Sequence, residues 1–163
     1  MSERSVVADS GPLIALATIS QLDVLRSLYS TVLVPDAVMR EVVEVGAGRR
    51  GAAEVAAATW LQRVRLDSPP DTYLLRELGA GEAEVIAFAA HRGKLLVLLD
   101  EREGRRVAEL IYGLEVRGTV GSLAAAKRRG LVPALRPLLN ALRQSGYYVS
   151  SEIIEGACRD VGE

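Results

Sequence analysis

Leu95-Leu96-Val97-Leu98-Leu99-Asp100 decides the fold. Five aliphatic residues in a row present no polar face, so the segment predicts a strand covered on both sides, as in a parallel sheet packed between helices. A second stretch of the same design, Ser5-Val6-Val7-Ala8, also ends at an aspartate, Asp9. Residues 31–34 are brief and β-branched and predict another strand, with weaker ones expected at 64–66 and 114–116.

Helical signals fill the intervals. Pro12 sits where a first turn tolerates it and opens a helix over 13–19. Ser20 is the expected N-cap of a second helix through Leu22, Leu25 and Leu28. Pro35 starts a helix that runs to about Val45 and stops at Gly46, and an alanine-rich helix is expected from Gly51 to about Leu61. Ser68-Pro69-Pro70 breaks the chain, Gly93 closes a helix over 82–91, and further helices are expected over 102–112, 120–129, 133–144 and 151–159. Strands alternating with helices imply right-handed crossovers and a parallel sheet sandwiched between helical layers.

Composition narrows the class. The chain has 163 residues, enough for one compact domain spanning 1–163. A hydrophobic share of 49% with 25% charged residues is too apolar for a disordered chain, and 4% aromatic residues leave an aliphatic core. Lys plus Arg number 20 against 21 acids, a balance that neither advertises nor forbids a nucleic-acid partner, because a local patch suffices. Cys158 is alone, so no intramolecular disulfide forms and a reducing, cytoplasmic setting is expected. The apolar stretch 11–19 is interrupted by Pro12 and preceded by Asp9, which argues against a signal peptide. No run approaches the ~18 apolar residues that span a bilayer.

The acids carry the functional expectation. Asp9 and Asp100 each follow an apolar strand and so should arrive at the rim where open α/β sheets bind ligands. Glu41 falls within a helical stripe made by Val34, Val38, Val42 and Val45, where an unpaired charge is costly. Glu82 opens a helix whose inward neighbours are Val85, Ile86 and Ala89. Four carboxylates meeting at one rim would repel by roughly 4 kcal/mol per close pair at an effective dielectric near 20. A hard divalent cation relieves that repulsion, prefers oxygen ligands and activates water for phosphoryl displacement, with no histidine required. The only histidine, His91, ends a helix and reads as a surface residue.

Val6-Val7-Ala8-Asp9-Ser10, Pro35-x-x-Val38-x-x-Glu41-Val42, Gly81-Glu82-Ala83-Glu84-Val85-Ile86-Ala87 and Leu98-Leu99-Asp100-Glu101 resemble the ordered acidic motifs of PIN domains, in particular a prokaryotic subgroup related to VapC-type toxins. Gly118-Thr119-Val120-Gly121, Ala126-Lys127 and Gly130-Leu131 extend the likeness over nearly the whole chain. The resemblance implies a three-layer α/β/α sandwich on a central parallel sheet of four to five strands, with a family-specific helical C-terminal part over about 119–163. It also implies an endoribonuclease dependent on Mg²⁺ or Mn²⁺, the toxin of a toxin–antitoxin pair and a homodimer. By the same resemblance Asp9, Glu41, Glu82 and Asp100 hold metal and form the catalytic set, Ser10 supports the site, and Glu101 competes with Asp100 for the fourth place. Many relatives carry Asp where this chain has Glu82.

For the RNA backbone the candidates are Arg49 and Arg50 on a loop, and Arg102, Arg105 and Arg106 just past the acidic rim. Three rival readings stand beside the nuclease. Gly46-Ala47-Gly48-Arg49-Arg50-Gly51 spells a dinucleotide fingerprint, but a helix rather than a strand precedes it. An aspartate-nucleophile phosphohydrolase would use Asp9, yet position 11, where a second acid belongs, is Gly. A catalytically silent PIN-like regulatory or binding module is the third.

Overall fold

A computed structural model describes residues 4–163. Five strands, β1 (Ser5–Ala8), β2 (Thr31–Pro35), β3 (Leu61–Val64), β4 (Leu96–Leu98) and β5 (Val116–Arg117), form one sheet in the order β3-β2-β1-β4-β5. Every pairing is parallel. The apolar stretches lie at its centre: Val6, Val7, Ala8, Val97 and Leu98 are wholly buried. Helices α1 (Ser10–Thr18), α2 (Val24–Leu28), α3 (Asp36–Met39), α4 (Ala52–Ala57), α5 (Thr72–Glu77), α6 (Ala80–His91), α7 (Arg102–Leu110) and α8 (Thr119–Arg128) cover both faces, and α9 (Arg136–Gln144) and α10 (Ser151–Asp160) follow. This is the α/β/α sandwich expected from the sequence. No described helix is long and apolar enough to cross a membrane.

The departures have physical causes. The third strand falls earlier than expected, because β3 is an edge strand whose Gln62 and Arg63 are exposed and so lacks the apolar run that marks the others. The alanine-rich helix accordingly ends at Ala57. Ser20 does not cap α2; it lies in the left-handed region, φ +60°, and α2 begins only after Asp23. Helix α5 went unread behind its two prolines, although Asp71 caps it, accepting from Leu74 N–H at 2.9 Å.

The Pro35 helix is the most instructive correction. After α3 the chain continues as a π-helical segment, Arg40–Val45, closed by Gly46 N–H donating to Glu41 O at 2.9 Å. The wider π turn throws the stripe out of phase. Val42 stays 2% exposed, but Val45 is 71% exposed, and Glu41 is an exposed side chain rather than one sealed against the core.

Candidate active site

Asp9 and Asp100 come together where the strand order reverses. From β1 the chain progresses to β2 and β3 on one side, whereas β4 and β5 lie on the other, so the β1–β4 boundary is the topological switch point. Ala8 pairs with Leu98, and Asp9 N–H donates to Leu98 O at 3.0 Å. Asp9 therefore leaves β1 beside the end of β4, just before Asp100. Helices that pack antiparallel to the strands begin at this same rim, which brings in Glu82 from the first turn of α6.

Asp9 is only 6% exposed, and its Oδ1 is buried with no hydrogen-bond partner among the described residues. Burial pushes its carboxyl up to about 7; the Ser10 N–H opposes the rise, and the charges of Glu82, Glu41 and Asp100 add to it. Glu82 is half-buried, with Oε2 likewise unpartnered. Burial, then Glu101 and Glu41, raise its carboxyl above the usual range. Gly104 of α7 leaves room for that oxygen, with which a Cβ would collide.

Glu41 reaches the same space from the π segment. Ser10 Oγ donates to its Oε1 at 3.1 Å. A Cβ on Gly81 would lie 2.9 Å from Glu41 Oε2 and 3.4 Å from Asp9 Oδ1, so the bare backbone of α6 keeps open a gap onto which both acids face. Asp100 is held differently. Thr119, wholly buried at the start of α8, donates its N–H to Oδ1 at 2.8 Å and its hydroxyl to Oδ2 at 2.6 Å. Burial first, and the Asp100 charge next, push the Tyr147 phenol above its ordinary range.

All six candidate residues, Asp9, Ser10, Glu41, Glu82, Asp100 and Glu101, line one cleft of about 710 Å³. Glu101 stands at its edge, where its carboxylate caps α7 by accepting from Glu103 N–H at 2.9 Å and Gly104 N–H at 3.1 Å. Arg102 lines the cleft too. Arg105 lies behind it, across Gly118 from Asp100, and pairs with Glu109 at 3.9 Å. Arg106 is bound to Glu103. Arg49 and Arg50 are outside the cleft, and Arg50 ties its loop to Ser145 O at 3.1 Å. The glycines of that loop follow the π segment, with Gly48 and Gly51 at positive φ, and no strand precedes them.

Among the described residues no Lys or Arg pairs with Asp9, Glu41, Glu82 or Asp100 within 4 Å. No three His, Cys, Asp or Glu side chains stand there as a ready-made coordination group. The donor set nevertheless suits a hard cation. It is all oxygen, two of its oxygens are buried without a donor, and a glycine leaves the space between Asp9 and Glu41 free. Sequence reasoning missed Thr119, Tyr147, Tyr148 and the role of Gly81. Only Thr119 had a readable signal, since it follows Gly118 just past the end of β5.

A parallel sheet with unpaired acids at its switch point defines an acid-lined α/β/α domain. The family model for the PIN domain, DUF3368, matches residues 5–163, and the chain belongs to that family. No curated protein matches the chain. PIN domains are generally nucleases, and membership supports a nuclease-type role.

Proposed function

We propose that this chain is an endoribonuclease that hydrolyses RNA phosphodiester bonds with Mg²⁺ or Mn²⁺ and serves as the toxin of a toxin–antitoxin pair. The observation that carries the metal dependence is the buried, unpartnered Asp9 Oδ1 facing Glu41 across Gly81. Asp9, Glu41, Glu82 and Asp100 would hold the ion. Once bound, it supplies a water of lowered pKa and stabilises charge on the phosphoryl oxygens.

The chain's own residues prepare that chemistry. Asp9, whose proton burial favours, would give up that proton to serve as an anionic ligand. Ser10 holds Glu41, and Thr119 holds both oxygens of Asp100, which limits the freedom each acid would lose on binding the ion. Arg102 at the cleft offers a fork of donors to a phosphate. A cognate antitoxin and a homodimer are proposed on kinship to VapC-type toxins.

A catalytically silent binding module is the second reading, favoured because no three acids converge as a coordination group among the described residues. Cleavage of a labelled RNA with and without Mn²⁺ separates the two. The expected result is metal-dependent cleavage that Asp9→Asn lowers more than about a hundredfold. Cleavage undiminished in that variant, or absent from the wild type at millimolar Mn²⁺, contradicts the proposal.

A further inference from the structure

The acid cleft contains an aromatic side chain that holding a metal ion does not use. Tyr148 is 89% exposed, in a chain with only 4% aromatic residues, yet it lines the same cleft as Asp9 and Asp100. Its loop is anchored on both sides. Gly146 turns the chain at φ +99°, Tyr147 N–H and Ser145 Oγ both donate to Leu142 O, Val149 is buried, and Ser150 caps α10 by accepting from Ile153 N–H at 3.1 Å. Tyr147 turns inward beside Asp100, which leaves Tyr148 displayed on a fixed backbone. Arg102 lines the cleft from the first residue of α7, so a flat aromatic face and a guanidinium share one groove with the acids.

We propose that Tyr148 and Arg102 form a nucleotide subsite in which the Tyr148 ring stacks on an unpaired base next to the scissile phosphate while Arg102 holds a neighbouring phosphate. The inference rests on the ribonuclease reading and assigns the side chains that would hold its substrate beside the acids. A base inside a duplex has both faces covered by its neighbours and offers none to the ring, whereas an unpaired base does. Stacking accepts any base, because every base has a π face, so the subsite selects for strandedness rather than sequence.

The experiment uses the full chain, an RNA oligonucleotide, the same RNA annealed to its complement, and a copy with one abasic nucleotide beside the cleavage position. Tyr148 is too exposed for its truncation to threaten the fold. With Mn²⁺, Tyr148→Ala is expected to raise KM for the single strand by roughly tenfold or more, with the smaller part of the loss in kcat, and Tyr148→Phe to restore it. The abasic RNA should show no difference between wild type and Tyr148→Ala. Binding of fluorescent RNA is measured separately by anisotropy in the Asp9→Asn background without metal, adding Tyr148→Ala there. Tyr148-dependent binding of single strands without any cleavage would sink the nuclease reading and leave the subsite standing. Cleavage and binding of the single strand unaltered by Tyr148→Ala, or a loss as large on the duplex, would overturn the subsite.

Discussion

Along one stretch of chain, Asp36 and Glu44 share Arg63, and Arg40 also donates to Asp36 at 3.2 Å, whereas Glu41 between them faces Asp9 and, among the described residues, makes no ion pair within 4 Å. The chemistry diverges accordingly. The Arg63 guanidinium holds the Asp36 carboxyl below its usual range, while burial pushes Asp9 up to about 7. In an α-helix Glu41 and Glu44, three residues apart, would be neighbours on one face; the π turn rotates them apart, so one joins the arginine cluster and the other the cleft. Acids that serve the fold arrive with their cations. Those of the rim make no ion pair within 4 Å among the described residues, which leaves them free to meet a bound cation.

Among variants that leave every acid in place, the largest effect should come from closing the gap on the unpaired side. Gly81→Ala places a methyl group between Asp9 and Glu41 and is expected to lower metal-dependent cleavage by roughly ten- to a hundredfold. The metal-free fold should change by no more than about 1 kcal/mol, since the helix-propensity gain of Ala over Gly offsets the small shift asked of buried Val38, whose Cγ2 would lie 3.3 Å from the new methyl group. On the paired side, Asp36→Asn should leave cleavage unchanged and lower only the melting temperature. Equal losses of cleavage in the two variants would erase the distinction between the clusters.

The pH dependence sharpens the same contrast. The Asp9 carboxyl rises from an unfolded value of 3.8 to about 7 on folding. Between those values the folded chain keeps a proton that the unfolded chain has released, so acidification favours folding through this group. Asp9 therefore contributes a stability that is full below about pH 4, declines as pH rises through about 7, and amounts to a few kcal/mol. Asp36 and Asp71, whose carboxyls are lowered, contribute in the opposite direction. The readout is hence the difference between wild type and Asp9→Asn, melted without metal from pH 4 to 8: relative to the variant, the wild type should lose stability as pH rises. A constant difference would show that Asp9 titrates normally.

A smaller effect is expected at Asp100. Thr119→Val removes the hydroxyl bond to Oδ2 but keeps the backbone N–H on Oδ1, so metal affinity should weaken about tenfold while stability changes by about 1 kcal/mol. Unchanged affinity by calorimetry would make Thr119 a packing residue only.

The sequence made the centre of this architecture readable and its margins obscure. β1, β2 and β4 stand out because both faces are covered and their inner residues, 6–8, 32–34 and 96–98, are all apolar. β3 does not, because an edge strand with exposed Gln62 and Arg63 looks like loop. Within the cleft, the two strand-end aspartates follow from that strand logic, and Glu82 from its place at a helix start. Glu41 was singled out for burial it does not have; it reaches the cleft because a π turn, invisible to a 3.6-residue pattern, redirects it. Tyr147 and Tyr148 come from a loop between the last two helices, and nothing local to Tyr147-Tyr148 says which cleft that loop overhangs.

If the unpaired acids are a site for a divalent cation, thermal melting of the metal-free chain against Mn²⁺ will show it. The wild type should melt progressively higher as Mn²⁺ rises, by about 2.7 kcal/mol of added stability at a hundred times the dissociation constant, and Asp9→Asn should not respond. A wild-type melting temperature that stays flat through millimolar Mn²⁺ would mean that these acids hold no such ion.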